Sequence, residues 1–213
     1  PPAWSVIGPA LTVDNVSLAS YSSGSIHLSY MYNNLYYDGS TEIYEKTGAG
    51  ALAQMNGDNF VWFNAPSGTA GSAATLTERM RIDSAGRVTT PYQPAFNAKV
   101  TGLTTYSPVA GNGWVKIAIG TLVNQRGSHY NTSTSRFTAP VSGWYHISMS
   151  VVLNAGSDID GAISLAVNGS VSGNGIGINN PSNYGGFNGR ATSGSVYLSS
   201  GDYAEVYLYI TAT

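Results

Sequence analysis

Cysteine is absent from this chain of 213 residues. Disulfides, thiolate metal sites and cysteine nucleophiles are thereby excluded. Charge is scarce as well: 9% of residues are Asp, Glu, Lys or Arg, against about 25% in ordinary soluble domains. The net charge is −2 and no basic run occurs, which argues against nucleic acid as a partner. No run of 18 apolar residues is present, so no transmembrane helix or membrane insertion is expected. Helical periodicity is nearly lacking. Leu76 and Met80 stand four apart, but their segment alternates better as a strand. No secretory leader is visible, and the Pro1-Pro2-Ala3 opening reads as a processed fragment.

What the chain has is Gly (26) and Tyr (15), with abundant Ser, Thr and Asn. That mixture suits tightly turning β structure with hydrogen-bonding surfaces, fit for dense subunit packing or sugar recognition. Hydrophobic residues make up 42%, enough for a core. A chain that works outside a cell without disulfides gains stability by other routes, oligomerisation among them.

The clearest pattern is Arg136-Phe137-Thr138-Ala139-Pro140-Val141-Ser142-Gly143-Trp144-Tyr145-His146-Ile147. It reads as strand, tight turn, strand. From Tyr145 the residues alternate: Tyr145, Ile147, Met149, Val151 and Leu153 on one face, Trp144, His146, Ser148, Ser150 and Val152 on the other. Further strands are expected near 95–101, 114–120, 135–139, 161–167, 171–178, 190–198 and 203–210. In the last, Ala204, Val206, Leu208 and Ile210 point inward and Tyr203, Glu205, Tyr207 and Tyr209 outward. Earlier in the chain, 26–32 and 59–63 read as strands, and Tyr36-Tyr37 before Asp38-Gly39 reads as a hairpin. Leu76, Glu78, Met80 and Ile82 share one face of a strand, with Thr77, Arg79 and Arg81 on the other. Asp83-Ser84-Ala85-Gly86 has the order of a type I turn, with 87–89 returning. Prolines 91 and 94 interrupt pairing and place a domain boundary there: a β-rich region at 1–90 and a sandwich at 91–213. The fold class is all-β.

Three motifs carry resemblances. Phe137-Thr138-x-Pro140-x-x-Gly143-x-Tyr145-x-Ile147 resembles the central hairpin of the C1q/TNF-like jelly roll. Leu198-Ser199-Ser200-Gly201-Asp202-Tyr203-Ala204-Glu205-Val206 is similar to the turn before that family's penultimate strand, and Pro94-x-Phe96-x-Ala98 to its opening strand. Where the family carries a last "F-S-G-x-L" strand this sequence reads Ile210-Thr211-Ala212-Thr213, which leaves the sheet order open. Upstream, Glu78-Arg79-Met80-Arg81-Ile82-Asp83-Ser84-Ala85-Gly86-Arg87-Val88 resembles an element of tailed-bacteriophage fibres, found in the shaft just before a C-terminal head. The resemblance implies a homotrimer: a shaft at 1–90 whose short strands pair across three chains, and a C1q-like head at 91–213. Outward Tyr203, Tyr207, Tyr209 and Trp144 would be buried around the threefold axis.

Catalysis finds no constellation. His27, His129 and His146 are scattered, and no nucleophile elbow, phosphate loop or zinc motif occurs. No cofactor is expected. Asp158 and Asp160 read as a solvated turn, or as a weak Ca²⁺ site, since that ion takes clustered oxygens. Gly173 to Gly177 is glycine-rich, but no helix follows to make a phosphate cradle. Recognition chemistry gathers in the long loop at 179–190, where Asn183, Tyr184, Phe187, Asn188 and Arg190 offer rings for a sugar face and polar groups for its hydroxyls. A plain turn-forming loop is the alternative. The expectation is a non-enzymatic virion fibre protein that attaches to a bacterial surface glycan or outer-membrane receptor and joins upstream virion proteins. The alternative is a structural decoration, neck or trimerisation module without a receptor.

Overall fold

The computed structural model describes residues 11–14, 16–23, 26–102, 104–106, 113–155, 159–171, 176–180 and 186–212. The described residues form nineteen strands and no helix. The chain divides into two units, Pro1–Gln93 and Pro94–Thr213. The break thus falls inside the proline-bearing stretch, three residues beyond the expected position.

The first unit contains β1 (Leu11–Val13), β2 (Val16–Ser23), β3 (Ile26–Asn33), β4 (Leu35–Tyr37), β5 (Glu42–Tyr44), β6 (Gly48–Asn56), β7 (Asn59–Gly68), β8 (Thr77–Ile82) and β9 (Val88–Thr89). Seven of them make one antiparallel sheet in the order β1-β2-β3-β6-β7-β8-β9. One face of this sheet is buried because its inward positions are small or apolar. Ser17 and Ala19 of β2, Tyr32 of β3, Leu52 of β6 and Val61 of β7 are all shielded from solvent. The cover is the β4–β5 hairpin, whose Leu35 and Tyr44 join the same core. The hairpin can approach because Gly50 and Gly68 lie beneath it. A Cβ on Gly50 would stand 2.6 Å from Leu35, and one on Gly68 would overlap the Tyr44 ring. The strands expected to be short and to pair across three chains are longer than expected. Strands of eight to ten residues pair continuously within one chain.

The β7–β8 pairing corrects the expected strand faces. Trp62 pairs with Met80 and Phe63 with Glu78, so Arg79 is an extra residue, a β-bulge. The bulge moves Glu78 to the face of Arg81, where the two form a two-pronged ion pair at 2.6 and 3.1 Å. Met80 and Ile82 stay on the other face. The turn after β8 follows the sequence reading. Gly86 N–H donates to the Asp83 carbonyl at 2.8 Å, and the Asp83 carboxylate accepts from the Ala85 and Arg87 amides. Gly86 has φ 76°, which glycine adopts without strain.

The second unit contains β10 (Ala95–Lys99), β11 (Trp114–Lys116), β12 (Thr121–Arg126), β13 (Tyr130–Asn131), β14 (Arg136–Thr138), β15 (Gly143–Ala155), β16 (Ile159–Val167), β17 (Gly177–Asn180), β18 (Gly186–Leu198) and β19 (Tyr203–Ala212). A sheet runs β13-β14-β19-β16-β17, with β11 also on β19, while β15–β18 and β10–β12 form two separate ribbons. Ile147, Met149, Val196 and Leu198 of the β15–β18 ribbon share one core with Phe137, Ile163, Leu165, Ala204 and Leu208 of the sheet. The unit is thus a two-layer β sandwich. The alternation expected for β15 is observed, with Ile147 and Met149 buried and Trp144 74% exposed. Boundaries shift elsewhere. The strand expected at 114–120 stops at Lys116, and a separate strand follows at 121–126. The one expected at 171–178 is found at 177–180, and the one expected from 190 begins at Gly186.

Two sequence landmarks meet in one corner. The Ala139 amide donates to the Asp202 carbonyl at 2.8 Å, and the Gly201 amide to the Ala139 carbonyl at 2.9 Å. Ser200 bonds Ser142 and the Pro140 carbonyl. Asn168, at φ 52°, donates to the Asp202 carboxylate and accepts from the Tyr203 amide. Those bonds from Asn168 and from the Ser199 amide hold the Asp202 carboxyl below its ordinary pKa. Phe96 stacks between Tyr130 and Phe137 at 4.8 and 5.0 Å, and Phe137 meets Tyr145 edge-on.

Candidate functional site

The recognition residues expected from sequence divide into three groups. Asn183 and Tyr184 lie outside the described residues. The backbones of Phe187 and Asn188 belong to β18, paired with Asn154 and Leu153, so the loop is shorter than expected. Arg190 departs from its expected exposed loop setting. It also sits in β18, opposite Val151, and is 8% exposed. Its Nη1 donates to the Gly189 carbonyl at 3.2 Å. Alternation explains this: Arg190 stands six and eight residues before the buried Val196 and Leu198, so it shares their inner face.

Asp158 also lies outside the described residues, and Asp160 occupies the second position of β16. Among the described residues no three His, Asp or Glu side chains converge as a metal site would require.

One buried polar cluster of the second unit was overlooked in the sequence reading. Glu205 was expected on the outward face of its strand, and there its side chain is only 1% exposed. Its position opposite the core face is as expected. The flanking strands cover it. β14 and β11 both pair with β19 and bring Arg136 and Lys116 across it. Arg136 Nε lies 2.7 Å from Glu205 Oε1, and Lys116 Nζ donates to the same oxygen. Tyr207 stands 3.5 Å from Oε2. Burial raises the Glu205 pKa, but the bonds from Arg136 and Lys116 outweigh it, so the carboxyl titrates below its ordinary value. Burial and the Glu205 charge together push the Tyr207 phenol up. The Arg136 guanidinium also lies over the Tyr203 ring at 4.0 Å.

The cationic side of this cluster opens into a pocket of about 310 Å³, lined by Lys116, Ala118, Ser133, Thr134, Ser135 and Arg136. Two cations share one carboxylate, so a single positive charge remains in excess beside the Ser133 and Thr134 hydroxyls; Lys116 Nζ also donates to the Thr134 carbonyl, and Ser135 Oγ accepts from the Ile119 amide. That arrangement can receive one carboxylate or phosphate group. The four aromatic residues expected at a subunit axis have these settings within the chain. Tyr203 lies under Arg136 and Tyr209 stands 5.4 Å from Trp114, so both are half-buried within the chain. Trp144 alone of the four is largely exposed, paired edge-on with Tyr197 at 5.8 Å.

No family profile matches the chain, and no curated protein matches it. Among solved structures, two of an exo-β-1,3-galactanase from Phanerochaete chrysosporium are similar to it. One is a point variant with β-1,3-galactotriose, at 11% identity and TM-score 0.25, covering 95% of this chain and 55% of that one. The other, with galactose, has 13% identity and TM-score 0.24, covering 95% and 68%. The chain therefore spans about half the length of the first. Scores this low carry no argument about fold or activity. Among the described residues no helix is long and apolar enough to cross a membrane.

Proposed function

We infer that this chain is a fibre protein of a tailed-phage virion, a homotrimer that attaches to a bacterial surface glycan without catalysing a reaction on it. The first unit is read as shaft and the second as a head of the C1q/TNF-like jelly-roll type. The observation that carries the reading is the order of parts in one chain. A β8–turn–β9 hairpin spelled like the phage-fibre element precedes a β sandwich whose two C1q-like landmarks are hydrogen-bonded into a single corner. Attachment is multivalent: three weak sites on one trimer raise effective affinity by orders of magnitude without tighter single contacts.

Asn183, Tyr184, Phe187 and Asn188 supply the ring-stacking and amide contacts. Arg190 supports them from the inner face of β18. The Lys116 and Arg136 pocket adds preference for an acidic sugar. The deciding experiment is binding of the purified protein to bacteria before and after their surface glycans are stripped. Binding that disappears on stripping is expected; binding that persists unchanged, or never occurs, rejects the reading. Tyr184→Ala with Phe187→Ala should abolish cell binding while the oligomer stays intact.

A further inference from the structure

We propose that the open face of the first unit's sheet is a self-association surface, covered by the same face of other copies of this chain. The register puts large apolar side chains in adjoining rows. Leu11, Leu18, Met31, Ala53, Trp62 and Met80 are successive cross-strand partners. Beside them run Met55, Phe60, Ile82 and Val88. Val13 and Val16 extend the face at its β1–β2 end. The opposite face of the same sheet already has its cover in the β4–β5 hairpin.

The face is too large to be incidental. Its nine most exposed apolar side chains run from Trp62 at 36% to Val13 at 67%. They present on the order of 900 Å², against about 300–600 Å² for the largest patch on a typical monomer. A standard protein interface takes about 800 Å² from each partner.

Charge selects the occupant. Among the described side chains, no Asp, Glu or Lys projects from this face. Arg79 is the charged side chain this face does carry: the bulge places it 2.7 Å from Asn64, the cross-strand partner of Ala51, and its guanidinium lies 4.3 Å over the Tyr92 ring. A foreign partner would be selected by charge on the rim, whereas a face that meets its own copy must avoid placing like charges opposite one another. Relief is self-complementary too. Ala51 and Ala53 form a dip beside the Trp62 and Met31 ridges, so the ridge of one copy can enter the dip of another.

This inference rests on the self-association part of the reading above and not on receptor binding. Leu18 and Met55 are exposed and are not cross-strand partners, so charges placed there disturb the fold little. Three proteins are compared by sedimentation at micromolar concentration: wild type, Leu18→Lys/Met55→Lys and Leu18→Glu/Met55→Glu. Wild type should sediment as an oligomer and each variant alone as a folded monomer, with the dissociation constant raised at least 100-fold. Mixing the two variants should restore the oligomer, since opposite charges then meet across the interface. If a charged variant loses its strand signal in circular dichroism, Leu18→Thr/Met55→Thr takes its place with the same expected dissociation.

An oligomeric wild type that the variants leave intact, or a mixture that stays monomeric, overturns this proposal alone. A monomeric wild type overturns both it and the homotrimer. Failure to bind cells by an oligomer that the variants do dissociate rejects only the attachment reading.

Discussion

Asn34 holds the entry to the β4–β5 hairpin together with one side chain. It sits at φ 55°, is buried, donates to the Lys46 and Ala49 carbonyls at 3.1 and 2.9 Å, and accepts from the Lys46 amide at 2.8 Å. Asn34→Ala should cost about 3 kcal/mol in chemical denaturation, because it strands these groups and puts alanine in a left-handed conformation. Glu205 is the other decisive single residue. Glu205→Gln leaves Lys116 and Arg136 without their shared anion. The cost should be about 2 kcal/mol, below the roughly 3–5 kcal/mol of fully buried pairs, because their side chains keep 30% and 39% exposure. The folded state holds the Glu205 carboxyl below its usual 4.5. Its contribution is therefore full above that value and is lost as pH falls through the folded pKa. Wild type should lose its advantage over Glu205→Gln as the melting experiment is moved from pH 7 to below pH 4. Neither residue stood out in the sequence. An Asn between Asn33 and Leu35 gives no sign of its φ angle, and a Glu on the outward face of an alternating strand shows no burial unless one knows which strands flank it.

At the level of elements, local periodicity was readable and pairing was not. The faces of β15 follow from alternation alone, and the Asp83 turn from the order Asp, Ser, Ala, Gly. The bulge at Arg79 was invisible, because an extra residue is defined only against the partner strand, here β7. The seven-stranded sheet was missed for a similar reason. Its inward positions include Ser17, Ala19 and Gly50, which do not look like core until the hairpin that covers them is known. That hairpin predicts its own sensitivity. Gly68→Ala would force a methyl group into the Tyr44 ring, whose hydroxyl is fixed to the Pro66 carbonyl. A loss of about 3 kcal/mol is expected from overpacking, with Gly57→Ala, where a Cβ meets nothing within 4 Å but φ is 61°, costing about 1 kcal/mol from strain alone. Urea midpoints of the two variants check the order.

On the scale of the molecule, the two units have separate cores, one centred on Tyr32, Leu35 and Leu52, the other on Phe137, Leu165 and Leu208. Calorimetry should accordingly resolve two transitions, with Gly68→Ala lowering one and Glu205→Gln the other. A single transition shifted equally by both variants would contradict this independence. Of the candidate site, the loop chemistry at Asn183, Tyr184, Phe187 and Asn188 was legible as composition only. The inward face of Arg190 follows from alternation with Val196 and Leu198, and was hidden because the residue also read as the last member of a polar loop.

A sheet face that carries almost no charge also dictates how its contacts respond to solvent and temperature. Dissolved salt has little to screen there, so raising sodium chloride from about 50 mM to about 500 mM should leave the sedimentation coefficient unchanged. Cooling acts in the opposite sense to intuition. Water releases apolar surface less readily when cold, so particles that are whole at about 25 °C should come apart measurably near about 4 °C and re-form on warming.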